Sequence, residues 1–539
     1  MKKEVSIYER LTALAHSDCY PYHMPGHKRN PGAGLPEGLA EIDITEIEDF
    51  DNLHHAQGIL KDAMERAAAL YGADQTYFLI NGSTCGVLAA ISSVVSREDT
   101  LILGRNAHMS AYHAAYLREC RVASLYPGLL KEYGVYGAVS CEETERLLRQ
   151  YPEAKAVCIT SPTYDGFFSD VEKIAEVVHA YDKILIVDEA HGAHFGLDMR
   201  MPQNSIGCGA DLVIHSLHKT LPSLTQTALL HIKGSRVSRE RLERFLRIYQ
   251  SSSPSYVLMG SIDRCIRQMQ EHRGEWFDSF FTRREKLIRE LSALRFLRAV
   301  YGGAGSARNE KESKGAESAC GAVSGMEPSK LMIFCDRAGM TGVELQRILL
   351  TKYRLQMEMA GEDYVLAILT VMDTDEGYVR LAKALKEIDE GCERKAAYGI
   401  RQGTREMRRA AIRQDSGEAH GTALCRQQNE EPAVVEKAAP CGEDFAAAIR
   451  SLQGPAEHVP LILTDAMEEG AVEAVALEDA RGRMVTEFLY AYPPGISVIL
   501  PGETMTEEVI TLIQGYRNKG LTLQGPADET LRTVRCVKK

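Results

Sequence analysis

No stretch of this 539-residue chain approaches the run of about 18 apolar residues that a membrane-crossing helix requires. Its start, MKKEVSIYERLTALAH, carries two lysines but no apolar core of signal-peptide length, so a cytosolic location is expected. Paired cysteines are missing as well. The 13 cysteines are scattered, odd in number and without a C-x-x-C pair. That argues against a disulfide framework or a metal site such as zinc, and for thiols in a reducing compartment. Basic residues do not alternate with aromatics, and 63 basic against 75 acidic residues give a net charge of −12. Nucleic acid is therefore not expected as a partner, nor is a membrane. Internal repeats and coiled-coil heptads are absent too. What remains is ordinary globular composition, 45% apolar and 26% charged, long enough for two to four domains.

Apolar runs and breakers divide the chain. Residues 1–60, rich in proline and glycine, read as an irregular N-terminal arm. Across 61–295 strand-like and helix-like patterns alternate. Strands are expected at Thr76–Ile80, Thr100–Leu103, Ala156–Thr160, Ile184–Asp188, Leu212–Ser216 and Ala228–Ile232, with helices at Leu60–Leu70, Thr84–Val95 and Val171–His179. Such alternation predicts an α/β fold: a mostly parallel sheet with helices on both faces. Arg239–Gln250 reads as a helix, Ser251-Ser252-Ser253-Pro254 as the start of another, and Glu275–Leu294 as helical. A smaller domain is expected over 296–393, interrupted at 302–328 by a Gly/Ala/Ser/Glu-rich disordered insertion. The charged stretch 394–440 reads as a solvated linker despite its arginines, and 441–539 as a further small α/β module with a strand at Val459–Leu463.

Two strand ends carry the chemistry. ILIVDEAHGAHF (184–195) is an apolar run ending on Asp188, with His191 and His194 just beyond, and DLVIHSLHK (211–219) ends on Ser216, His218 and Lys219. In parallel sheets ligands bind at the carboxyl ends of the strands, so these groups should converge on one crevice. A lysine there, with an aspartate from a neighbouring strand, is what pyridoxal phosphate requires. The amine condenses with the cofactor aldehyde, and the carboxylate keeps the pyridine nitrogen protonated. A lysine after a strand is ordinarily a solvated surface residue; Ser216, His218 and the separate Asp-Glu-Ala-His strand end argue otherwise. Asp188-Glu189-Ala190-His191 also spells a helicase box, but such an ATPase needs G-x-x-x-x-G-K-[ST]. Gly26-His27-Lys28 has no glycine five residues before Gly26, and Asn81-Gly82-Ser83-Thr84 has no lysine. The helicase reading fails.

Asn81-Gly82-Ser83-Thr84 follows a strand and opens a helix, where free N–H groups, hydroxyls and the positive dipole end suit a phosphate. By itself the pattern signals only an N-cap; beside Lys219 and Asp188, Ser83 and Thr84 become a phosphate cup to which Ser216 and His218 add donors. His108, after the strand Thr100–Leu103, is placed to lay its ring against a flat cofactor.

Taken together, these motifs resemble the pyridoxal-phosphate-dependent ornithine/lysine/arginine decarboxylases of fold type I. The resemblance covers the chain apart from the two interruptions. It rests on His23-Met24-Pro25-Gly26-His27-Lys28, Asp43-Ile44-Thr45-Glu46, Asp51-Asn52-Leu53-His54, Asn81-Gly82-Ser83-Thr84, Asp188-Glu189-Ala190-His191-Gly192, Ser216-Leu217-His218-Lys219, Tyr492-Pro493-Pro494-Gly495 and Pro501-Gly502-Glu503. The family often has Asp-Asp-Leu-His and a proline where this chain has Asn52 and Ala56, and an aromatic residue at Asp165. The lack of a receiver-like domain before HMPGHK is similar to the shorter Gram-positive-type members.

The resemblance implies an aspartate-aminotransferase-like fold with small α/β domains, the last a C-terminal decarboxylase domain. It implies Lys219 as the cofactor lysine, Asp188 as the pyridine-nitrogen partner, His108 as the stacking ring and His191 beside the cofactor. Ser83, Thr84, Ser216 and His218 match phosphate and lysine-neighbour positions, and Ser252 resembles a hydroxyl donated by a second subunit, so a homodimer or larger homo-oligomer is expected. His27, Lys28 and Glu503 are candidate substrate contacts. The implied reaction is α-decarboxylation of a basic amino acid in polyamine biosynthesis, with arginine first, lysine second and ornithine third. An aminotransferase or another pyridoxal-phosphate lyase on the same fold is one alternative; a catalytically silent cofactor-binding regulator is another.

Overall fold

Seven five-residue strands form the body of the main sheet: β1 Gln75–Leu79, β2 Thr100–Gly104, β3 Arg121–Leu125, β4 Ala156–Thr160, β5 Ile184–Asp188, β6 Leu212–Ser216 and β7 Ala228–Ile232. This computed structural model describes residues 5–36, 38–302, 325–392, 472–491 and 495–538, with 448, 451–452 and 461–462. The order across the sheet is β1–β7–β6–β5–β4–β2–β3, closed at the β3 edge by the short strand Leu461–Ile462. Neighbours from β6 to β3 run parallel. β7 is antiparallel to β1 and β6, and Leu461–Ile462 is antiparallel to β3. The mostly parallel expectation holds.

Alternate residues of one strand feed two separate cores. Ile102, Val157, Val187 and Val213 pack on one side, whereas Leu101, Leu103, Ile186, Leu212 and Ile214 pack on the other. Both faces of the sheet are thus covered, which is why its strands read as continuous apolar runs. Helices α1 (Gly82–Val94) and α2 (Met109–Arg118) supply the second core, and the long helix α3 (Tyr256–Leu291) supplies the first. A smaller antiparallel sheet holds β8 Arg298–Tyr301, β9 Lys330–Phe334, β10 Met359–Ala360 and β11 Tyr364–Ile368 in the order β8–β9–β11–β10. The C-terminal part has its own core, including Leu489, Val498, Met505 and Val509.

Several expectations need correction. The N-terminal arm is not wholly irregular: Ile7–Ala15 is a helix with a Ser6–Glu9 capping box, and its Ile7 and Leu11 are buried. Its first N–H donates to Asp263 of α3 at 2.9 Å. Further along the arm, Asp51 accepts from the N–H groups of Asn52, Gln57, Gly58 and Leu60, which fixes the local turn. Ser251–Pro254 does not start the next helix; Ser255 caps it, and Glu275–Leu291 is the second half of the same helix. Of the segment expected to be disordered, Gly325–Met326 pairs with Phe167–Phe168, and Glu327 is fully buried. The 394–440 linker, most of Val459–Leu463 and Tyr492–Pro494 lie outside the described residues.

Candidate active site

A cavity of about 940 Å³ opens at the carboxyl ends of β4, β5 and β6. Main-sheet residues form its floor, the β10–β11 turn supplies one wall, and Ile496–Val498 of the C-terminal part supply another. Ser83, Thr84, His108, Asp188, His191, Ser216, His218 and Lys219 all line it. Strand-end logic brought these eight together. It did not place the rest. Glu503 is buried and accepts from Arg105 at 3.0 Å and from the Leu500 N–H at 2.8 Å, so it ties the C-terminal part to the end of β2 and does not line the cavity. His27 bonds Asp43 and Lys28 bonds the His23 carbonyl; neither lines the cavity. Ser252 is exposed and outside the cavity wall of its own protomer, so its expected role requires a second copy.

Local geometry sets each group. Gly82 has φ +75°, which lets the chain turn from β1 into α1, whose first residues Gly82, Ser83 and Thr84 line the cavity. The hydroxyls of Ser83 and Ser216 bond one another, tying that helix start to the end of β6. Directly after Ser216 the chain enters the short helix Leu217–Thr220, which carries Lys219 inward, while His218 bonds the Thr227 carbonyl at 2.9 Å. His108 caps α2, its Nδ1 accepting from the Ser110 N–H at 3.2 Å. Asp188 ends β5 at the cavity, whereas the adjacent Glu189 bonds Ser205 and, at 2.6 Å, the buried His215. In this chain the helicase-like box is split: Asp188 lines the site and Glu189 holds the scaffold.

Burial lowers the Lys219 amine and raises Asp188, while their mutual attraction opposes both shifts. Burial, helped by Lys219, pushes His108 down to about 4, so its ring is neutral. His191 lies well below its ordinary range through burial and the two lysines beside it. One of those is Lys219, whose Nζ lies 3.1 Å from Nε2. The other is Lys330 of β9, fully buried, whose Nζ lies 2.9 Å from Nδ1. Sequence reasoning missed Lys330, because a lysine opening an apolar strand carries no periodic signal that separates it from a solvated one. Asp165, in the position often aromatic in the family, is buried and accepts from Tyr364 Oη at 2.6 Å.

These residues fit pyridoxal phosphate. A lysine amine and a buried carboxylate share the cavity with a neutral ring and a hydroxyl-bearing helix start. The buried atoms Asn106 Oδ1, Thr160 Oγ1 and Ser497 Oγ, from residues lining the same cavity, have no hydrogen-bond partner among the described residues, as expected of a wall built around a polar guest.

The same architecture is found in a solved structure, lysine decarboxylase LdcF of Francisella novicida. The TM-score is 0.75 and the identity 18%, over 99% of this chain and 81% of that one. Fold and site define a fold type I pyridoxal-phosphate enzyme. Residues 6–376 match the major domain of the Orn/Lys/Arg decarboxylases, and residues 449–522 match their C-terminal domain. The chain belongs to this family and is a pyridoxal-phosphate-dependent decarboxylase of basic amino acids, which sets aside the aminotransferase alternative. Curated relatives include the arginine decarboxylase of Halalkalibacterium halodurans, 27% identical over 100% of this chain and 98% of the relative. That of Bacillus subtilis is also 27% identical, over 99% of this chain and 98% of the relative.

Proposed function

We propose that the enzyme converts arginine to agmatine, with Lys219 bearing the cofactor, Asp188 holding the proton of its ring nitrogen, His108 against its face, and Ser83, Thr84, Ser216 and His218 around its phosphate. When bound, the cofactor supplies a sink for the electron pair left at the α-carbon as CO₂ departs. The protein has to orient the carboxylate, exclude water and return one proton to that carbon. Glu358 presents a carboxylate at the cavity, accepting from the Tyr164 hydroxyl, and is the acid we assign to meet the distal cation of the substrate.

End-to-end likeness to two arginine decarboxylases is the observation that favours arginine over lysine and ornithine. Incubation of the cofactor-loaded protein with each amino acid separately, with identification of the released amine, tests this. Agmatine is expected; cadaverine from lysine as the main product would sink the choice. The setting we propose is the cytoplasm, where the unpaired cysteines stay reduced, with the product entering polyamine biosynthesis and the working unit at least a homodimer. We divide the chain into an arm at 1–60, a cofactor domain at 61–295, a small domain at 296–393, a linker at 394–440 and a C-terminal domain at 441–539.

A further inference from the structure

Lys330 is a fully buried lysine whose side-chain hydrogen bond, among the described residues, goes to His191 in the active-site wall and not to a carboxylate. A lysine buried for structural reasons ordinarily pairs with an acid. The adjacent acid, Glu327, spends its oxygens elsewhere, on His194 at 3.2 Å and on the N–H and hydroxyl of Ser329 at 2.5 and 2.6 Å. The chain also makes room for Lys330. Gly166, at φ +99°, passes so close to the lysine stem that a Cβ there would lie 2.6 Å from Lys330 Cγ. Beyond the stem, the amine lies 5.5 Å from the centre of the Tyr164 ring and 2.9 Å from Nδ1 of His191. Other ionisable groups facing it are Glu327, Glu358, Asp165 and Lys219.

We propose that Lys330 is a positioning residue of the active site: its ammonium donates to Nδ1 of His191, fixes the ring as the Nε2–H tautomer, and so presents that N–H to the nitrogen of Lys219. This rests on Lys219 being the cofactor-bearing lysine. A neutral imidazole has one acceptor nitrogen, and an ammonium can only donate. With a lysine at each ring nitrogen, the hydrogen bonds balance only when one amine is uncharged and accepts. Lys219 is that amine, because it must shed its charge to join the cofactor aldehyde. Burial and the Lys219 charge push Lys330 down to about 8. Where the nitrogen of Lys219 carries no proton, as when it accepts from His191, that second contribution disappears and Lys330 stays an ammonium. Whenever substrate displaces Lys219, the cation behind His191 holds the freed amine neutral, ready to return.

The test is ¹⁵N-histidine NMR on the cofactor-loaded wild-type protein, with spectrophotometric pH titrations of the variants. In wild type, His191 should show a protonated Nε2 and a bare Nδ1. In Lys330→Met that preference should disappear, and the pH at which the visible cofactor band titrates should rise by about one unit, because a cation facing the Lys219 nitrogen has been removed. Lys330→Arg should restore the wild-type titration. A proton on Nδ1 in wild type overturns the proposal without any variant having to fold, and so does a Lys330→Met band that titrates as wild type does. Borohydride reduction followed by peptide mapping separates this from the assignment beneath it. An adduct on Lys219 supports both. An adduct on Lys219 together with a protonated Nδ1 sinks this inference and spares the other; an adduct on Lys330 overturns both.

Discussion

Lys219 gains its chemistry from position, at the end of a strand and facing a carboxylate one strand away. Lys219→Ala should abolish both the visible cofactor band and turnover; a borohydride-stable adduct surviving on the same peptide would contradict the assignment. Asp188→Asn should still bind cofactor but lose roughly 100-fold or more in kcat, since an amide cannot hold the ring proton and each 1.4 kcal/mol is about tenfold. A kcat near wild type would remove Asp188 from that role. In the place proposed for it at the ring face, His108 is neutral, so His108→Ala should weaken cofactor affinity more than it slows the chemical step. Equilibrium binding set against single-turnover rates separates the two effects.

Among the elements, the connection following β2 joins the main sheet to the C-terminal part. Arg105 is fully buried there and donates to the carbonyls of Ser497 and Val498 at 2.8 and 3.2 Å and to Glu503 at 3.0 Å. Removing one partner of a buried ion pair leaves an uncompensated charge, at a cost of about 3–5 kcal/mol. Glu503→Gln should therefore lower the urea midpoint and expose the C-terminal part to limited proteolysis. Activity should fall with it, because Ser497 and Val498 line the cavity. Wild-type stability in this variant would show that the pair does not lock the two parts together.

For the whole molecule, buried neutral histidines set the acid limit. His108, His191 and His231 all have folded-state values below their ordinary 6.5, chiefly through burial. The unfolded chain therefore binds protons first, so the stability these groups contribute is complete above about pH 6.5. It is lost as pH falls toward about 4, the value for His108. Urea midpoints should decline steadily over that window, and a midpoint constant from pH 7 to 4 would refute the account. The proposed dimer has its own test. Mixing inactive Lys219→Ala with inactive Ser252→Asp subunits should restore activity, because one composite site carries neither lesion. Full turnover by a verified monomer would exclude a shared site.

The fold class was legible because both faces of the main sheet are covered, so five-residue apolar runs stood out against helical spacing. The meeting of Asp188, Ser216 and Lys219 at one cavity was legible for a related reason: in a parallel sheet every strand delivers its carboxyl end to one side. Ser255 as the cap of α3 and the helix at Ile7–Ala15 were less visible, since capping chemistry is shared by neighbouring serines and prolines obscured the arm. Tertiary structure alone decided what depended on contacts between distant segments. Glu503 looked like a substrate contact until Arg105, 398 positions away, claimed its carboxylate. Lys330 drew no notice in the sequence, because only the folded chain brings its amine to His191, 139 positions away. Local sequence specifies periodicity and strand ends; which buried charge meets which partner is fixed only by packing.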